Sequence, residues 1–225
     1  MHYFTREYLK DLWESGMQVA MASLGRLVAL GAVAFVLTIS GMGTPNAAQP
    51  SKDAAKSHIS GLVDAAVQLL ARDDLSEREK DRELARLLEV GFDVDYIARF
   101  VLGRTYRGLD GHEQKRYRDA YTQYVLQIYG RYLKIYAVDE VALTGTSNAG
   151  KRDVVVHSRV KPIGEAPINI DWRIRDRGGS LQIIDIAIEG ISQALTQRNE
   201  FSSVVSRRGI AGLIDIMEKR VREQT

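Results

Sequence analysis

The 225-residue chain contains no cysteine. That absence removes disulfides, thiol catalysis, Cys-ligated zinc, iron–sulfur clusters and a lipidated N-terminal cysteine together, and leaves the redox compartment open. An excess of one charge is missing too. Lys+Arg 31 against Asp+Glu 29 gives a net charge of +2; the signs are interspersed, so no electrostatic footprint for nucleic acid emerges and no nucleic-acid partner is expected. The P-loop, a G-x-G-x-x-G after a strand and the G-x-S-x-G elbow are all absent. So is an apolar run of transmembrane length: Leu27–Ile39 stays uncharged for thirteen residues, whereas a spanning helix needs about 20. Length is adequate, since a chain of this size can bury a sizeable core without covalent staples.

What is present near the N-terminus has the layout of a secretory signal peptide. Arg26 precedes the apolar run, and the small and turn-forming stretch Ser40–Pro50 follows it. An uncleaved anchor is the competing reading, because the charge-free stretch continues to Ser51. Ala47 and Ala48 suit the residues before a cut, and translation starting at Met21 or Met17 would give an ordinary basic leader. Residues 1–48 are therefore read as a signal peptide and 49–225 as the mature domain. Their removal takes away Arg6, Lys10 and Arg26 with Glu7, Asp11 and Glu14 and leaves the net charge unchanged. Export to the periplasm is the expected localisation.

The first half of the mature chain has helical periods. Ser51 can cap a helix whose apolar positions Ile59, Leu62, Val63, Ala66, Leu69 and Leu70 share one face. Ser76 and Glu79 form a capping box ahead of Leu84, Leu87, Leu88 and Val90. A third helix carries Tyr96, Ile97, Phe100 and Val101 and stops at Gly103. After a turn around Gly108 and Asp110, a helix to about Ala137 carries Tyr117, Tyr121, Tyr124, Tyr129, Tyr132 and Tyr136 along one stripe. From Val138 the period becomes two. Strands near 139–146, 152–161, 167–176 and 181–188, with turns at Asn148–Gly150 and Gly178–Gly179, form an antiparallel meander. Two helices follow, 192–206 and 209–222. Helices followed by strands give an α+β fold.

Little in this pattern carries chemistry. His58, His112 and His157 lie in unrelated elements without metal-ligand spacing, so they read as surface histidines and no metal or cofactor is expected. Asp171 falls on the polar phase of its strand. Asp185 stands among Leu181, Ile183, Ile184, Ile186 and Ile188, and two readings are open: a structural carboxylate held by partners, or a general base with a raised pKa. No nearby nucleophile completes a constellation for it, so the chain is not expected to be an enzyme. The tyrosine-rich helix, expected to face the Val/Ile/Trp sheet, either packs as an ordinary core or splays from the sheet to leave an apolar pocket.

Two segments add a resemblance. Phe92-Asp93, Ala98, Leu102-Gly103 and Tyr106 resemble the F-D…A…LG…W motif of the MlaC, or toluene-tolerance, family of phospholipid-binding proteins, with Tyr106 where tryptophan is common. Asp185, Glu189-Gly190-Ile191-Ser192, then Arg198 and Phe201, then Gly209 and Leu213-Ile214, resemble that family's D-x-x-x-E-G-[IV]-S, R-x-x-F and G-x-x-x-L-[IL] segments. Gln123, Leu126, Tyr129 and Tyr136 fit its long helix. The resemblance covers nearly all of residues 51–222.

It implies helices wrapped around a curved antiparallel sheet with a lipid cavity, a cone similar to nuclear transport factor 2 and ketosteroid isomerase. It also implies a periplasmic carrier that shuttles phospholipid between an outer-membrane lipoprotein complex and an inner-membrane ABC transporter complex, maintaining outer-membrane asymmetry. A hopanoid carrier is a near alternative, and an enzyme on the same cone using Asp185 a further one. On that fold, inward phase near the open end selects Phe100, Val101, Tyr106, Tyr129, Leu133, Trp172, Ile191, Phe201 and Val205 as cavity residues. Arg198, Arg207 and Arg208, with Lys219, Arg220 and Arg222 nearby in sequence, form the expected docking surface for acidic partners or head groups.

Overall fold

The computed structural model describes residues 49–135, 138–164 and 166–223, the side chains at 128, 129, 131–135, 138 and 139 excepted. The expected signal peptide over 1–48, with its Met21 start and its cut at Ala47 or Ala48, lies outside the described residues. Among the described residues five helices precede the sheet. Helix α1 (Lys52–Leu70) starts at Ser51, whose hydroxyl accepts the Ala54 N–H at 3.1 Å. Helix α2 (Glu77–Gly91) is closed by its capping box, Glu79 reaching back to the Ser76 N–H at 2.8 Å. Then come α3 (Val94–Leu102), the short α4 (Arg104–Gly108) and the long α5 (Gly111–Ile135). The stretch between the expected stop at Gly103 and the expected turn around Gly108 and Asp110 is thus partly helical, with α4 starting directly after Gly103.

Strands β1 (Val138–Ala149), β2 (Asp153–Pro162), β3 (Ile168–Asp176), β4 (Leu181–Ile188) and the two-residue β5 (Ile191–Ser192) form one antiparallel sheet in sequential order. The α+β class and the meander are as expected. The first hairpin turn is not: Asn148 and Ala149 still pair with Val154 and Asp153, which moves the reversal to Gly150–Arg152, with Gly150 at φ 69°. Between β3 and β4 the register slips, Arg173 facing Asp185 while Ile174 faces Ile183. Ile184 is the extra residue, which explains how neighbouring Ile183 and Ile184 can both be buried in a strand.

The last element, α6 (Gln193–Glu223), joins the two expected C-terminal helices without a loop. Gly209 sits at φ 66° and ψ 179° between them, a conformation that costs an L-residue strain and lets the chain change direction within one position.

Two cores result. One lies on the inner face of the sheet, where Val154, Val156, Ile174 and Ile183 pack with Ala55 and Ile59 of α1. The other is helical. Ala98, Val101 and Leu102 of α3, Tyr117, Tyr121 and Tyr124 of α5, and Phe201, Leu213, Ile214 and Met217 of α6 enclose one another. The described tyrosines of α5 therefore face helices rather than the sheet. Periodicity defines a face but not its partner, and the kinked α6 supplies one that runs beside α5, with Gln127 Nε2 donating to Val221 O at 3.0 Å. Tyr117 is fully buried and its hydroxyl donates to Ala98 O at 2.9 Å; burial, with nearby Tyr106, raises its pKa above the ordinary phenol value. No helix among the described residues is long and apolar enough to cross a membrane.

Candidate functional site

The segment 92–103 is built into the edge of β4. Phe92 bridges Ile183, and the Asp93 N–H donates to Ile183 O at 3.0 Å, on the edge of β4 away from β3, where β5 does not reach. The Asp93 side chain then caps α3, accepting the Tyr96 N–H at 2.9 Å, and its second oxygen meets Arg177 Nε at 2.6 Å. At the far end of α3, Gly103 adopts φ 62°, and a Cβ there would come within 3.0 Å of Arg198 Nη2. Arg198 lies flat in that gap. Its guanidinium is 5.1 Å from the Phe100 ring centre and donates to Phe100 O at 3.3 Å, placing a cation on the last carbonyls of α3.

The segment 185–201 holds the start of α6. Asp185 accepts the Ser192 hydroxyl at 2.6 Å and the Ala194 N–H at 3.1 Å, while Ser192 Oγ accepts the Leu195 N–H at 3.1 Å. Two otherwise unpaired donors of the first turn are thereby satisfied. Glu189, at φ 48°, turns the chain with Gly190, and its carboxylate accepts from the backbone N–H of Asn169. Asp185 is consequently a structural carboxylate whose two oxygens are both engaged. The two signature segments also meet, through Gly103, Phe100 and Arg198, and together clamp α3 and α6 to β4.

Five of the expected cavity residues gather in the helical core, and Trp172 and Ile191 lie apart from them. Val101 (1% exposed) and Phe201 (5%) lie inside the helical core, with Phe100, Tyr106 and Val205 on its margin. Phe201 packs edge-on to Tyr121 at 6.1 Å, and Tyr106 edge-on to Tyr117 at 6.2 Å. Trp172 belongs to the sheet core, its indole N–H donating to Ser158 Oγ at 2.9 Å. Ile191 is exposed on β5. The side chains of Tyr129 and Leu133 lie outside the described residues. Of the expected docking set, Arg207 and Arg208 are exposed just before the Gly209 kink, whereas Arg198 is half-buried against α3 and cannot serve as a free contact. The structure fills its place with a second role that the sequence spacing alone did not reveal.

A different apolar surface does stand out. The inner face of the sheet is closed at the α1 end, where Val154 and Ile174 are fully buried, and opens toward the other end. There Ile168 and Ile170 are half-buried, and the paired Ile188 and Ile191 are 36% and 37% exposed. Leu195, in the first turn of α6, is 50% exposed, and Ile163 in the β2–β3 connection is 65% exposed. Ile168 and Ile170 come from β3, Ile188 from β4 and Ile191 from β5, and strict alternation in 168–174 was the sequence signal for the first two. The clefts lined by Asp93, Asp95, Arg99, Asp176 and Arg177, and by His112, Lys115, Arg116 and Asp119, are polar by contrast. Among the described residues no group of acidic or histidine side chains could hold a metal ion.

Comparison with known proteins fits this frame. A structure of a phospholipid-binding protein from Ralstonia solanacearum, in complex with a phospholipid, aligns with a TM-score of 0.64 at 23% identity, covering 76% of this chain and 98% of that one. At that identity the likeness is one of fold. The family described as MlaC protein matches residues 61–219, a span that contains both signature segments and the clamp they form, and the chain therefore belongs to the MlaC family.

Proposed function

We propose that this chain is a phospholipid-binding carrier that works in the periplasm, moves lipid between membrane complexes and so maintains the lipid asymmetry of an outer membrane. The observation that carries the reading is the open end of the inner sheet face, where Ile168, Ile170, Ile188 and Ile191 present aliphatic surface beside a clamp of signature residues. Family membership and the phospholipid held by the Ralstonia protein support it, and the apolar run Leu27–Ile39 supports export. At about 0.8 kcal/mol per buried methylene, two chains of roughly 16 carbons represent about 25 kcal/mol relative to water. That exceeds the usual non-covalent ceiling near about 20 kcal/mol, so lipid does not cross water unaided. Relative to a bilayer an apolar site offers the chains almost no net gain, which lets loading and delivery both run near balance.

Native mass spectrometry of protein purified from periplasm tests the reading. A co-purifying phospholipid is the expected result; a hopanoid in its place would redirect the ligand class, and a consistently empty protein would overturn the carrier. Delivery is expected to use Arg207 and Arg208 against acidic surfaces of partner complexes. Reversing both charges should slow transfer between purified donor and acceptor complexes in a salt-dependent way without emptying the protein. Unchanged transfer at low salt would assign docking to another face.

A further inference from the structure

The outer face of the sheet, opposite Val154 and Trp172, carries a hydrogen-bonded line of three side chains from three successive strands. Ser147 Oγ lies 2.9 Å from His157 Nε2, and His157 Nδ1 lies 2.7 Å from Asp171 Oδ1. Register makes the line. His157 pairs with Asp171 across β2 and β3 and with Gly145 across β1, so that Ser147, two residues along the edge strand, shares its face. None of the three is near another in sequence, which is why spacing gave no hint of them.

Donor and acceptor chemistry orients the ring. A carboxylate at Asp171 can only accept, so the proton in its contact belongs to His157 Nδ1. With the imidazole neutral, Nε2 presents its lone pair to the Ser147 hydroxyl. This is the tautomer in which a histidine can take the proton of a serine nucleophile while a carboxylate holds the ring. The line is open to solvent, with the His157 and Asp171 side chains 36% and 38% exposed. Beside it, Gly145 leaves the edge-strand side of the imidazole uncovered, and the register of β1 slips between Leu143 and Gly145. Bulges of this kind are frequent next to reactive side chains because they re-aim them.

We propose that Ser147, His157 and Asp171 form a second, solvent-facing site in which Ser147 is a base-assisted nucleophile toward small carboxylic esters. As Ser147 Oγ bonds to the acyl carbon, its proton passes to His157 Nε2. Collapse of the adduct expels the alcohol, which leaves with that proton, and an acyl-serine remains. Water then attacks with His157 again as base, and the products are the carboxylic acid and free Ser147. Base assistance alone is worth about 10²–10⁴-fold, so the activity is slow beside that of an enzyme with a built oxyanion hole. It is independent of the carrier role, since the line and the apolar end of the sheet lie on opposite faces. The competing account is a polar ladder that only ties β1 to the sheet, and it leaves Ser147 no more reactive than any surface serine.

The experiment treats the purified full-length protein with a fluorophosphonate probe, maps the adduct by peptide mass spectrometry, and follows hydrolysis of p-nitrophenyl acetate. Expected are labelling concentrated at Ser147, loss of both signals in Ser147→Ala, and a fall of about tenfold or more in labelling rate in Asp171→Asn. Lipid occupancy should be the same in all three proteins, so loss of the ester signal and loss of the carrier function are read separately. A wild-type protein in which Ser147 labels no faster than other exposed serines overturns the proposal, as does Ser147→Ala retaining the hydrolysis rate. The wild-type adduct map decides even where a variant folds poorly.

Discussion

Replacing Asp153 with alanine is expected to lower the melting temperature at pH 7 by roughly 6–12 °C, at about 2–4 °C per kcal/mol for a domain of this size. Asp153 is only 1% exposed, and its carboxylate receives Arg175 Nε at 2.6 Å and Arg173 at 2.6 Å. Removing one member of a buried charge pair costs about 3–5 kcal/mol, because the other is left uncompensated. The lower end of that range applies here. Arg173 keeps 45% of its side chain exposed and can turn to water, but Arg175 is 16% exposed and packs over the Tyr96 ring at 4.9 Å. The carboxylate thus orients an arginine that holds α3 against the sheet. Burial pushes the Asp153 pKa up, yet the hydrogen bonds and charges of Arg175 and Arg173 outweigh it and leave the folded value below the ordinary 3.8. A depressed folded pKa stabilises the protein above the unfolded value and ceases to do so as pH falls through the folded one. The gap between wild type and Asp153→Ala should therefore narrow as melts are taken from pH 4 downward. A pH-independent gap would mean that lost packing, not charge, is responsible.

Asp153 also shows where the sequence stopped being legible. Alternation along β2 places it with His157, on the face opposite Val154, and the structure agrees. What alternation could not carry is the cross-strand register that brings Arg173 and Arg175 over it. The same register assembles Ser147, His157 and Asp171, and a one-residue slip at Ile184 buries two neighbouring isoleucines that strict alternation would have placed on opposite sides. Local signals were read well because their partners are local. Ser51, Ser76 with Glu79, and Gly103 act within a few residues, and the structure places helix ends at all of them. The tyrosine stripe of α5 was found correctly as a face, but its partner is a helix 70 or more residues later, as the Tyr121–Gln197 hydrogen bond at 2.6 Å illustrates. The signature residues, finally, were legible only as a resemblance; Asp93, Gly103, Asp185, Ser192 and Arg198 tie α3, β4 and α6 together through contacts that spacing does not carry.

If the helical core is frame and the open end of the sheet is the proposed binding surface, substitutions in the two should have opposite effects. Phe201→Ala should destabilise the protein by about 3–5 kcal/mol, since its buried ring packs against Tyr121 and Tyr124 at 6.1 and 6.3 Å and its removal leaves a cavity in the helical core. Val101→Trp, at a position 1% exposed in the same core, should also destabilise, by about 1–3 kcal/mol or more, because the added ring forces its neighbours from their rotamers. Neither change should reduce lipid occupancy of the protein that remains folded. Ile191→Ser is expected to do the reverse. At 37% exposure Ile191 supports little of the core, so stability should move by less than about 1 kcal/mol, while the loss of aliphatic surface beside Ile188 lowers occupancy. Chemical denaturation gives the first quantity and native mass spectrometry the second, on the same preparations. Were Val101→Trp to displace lipid at little cost in stability, the helical core would be the chamber and the open end of the sheet only its rim. The proposed carrier predicts the opposite outcome, because Val101 is buried within a closed cluster of helical side chains whereas Ile188 and Ile191 keep aliphatic surface free for an acyl chain.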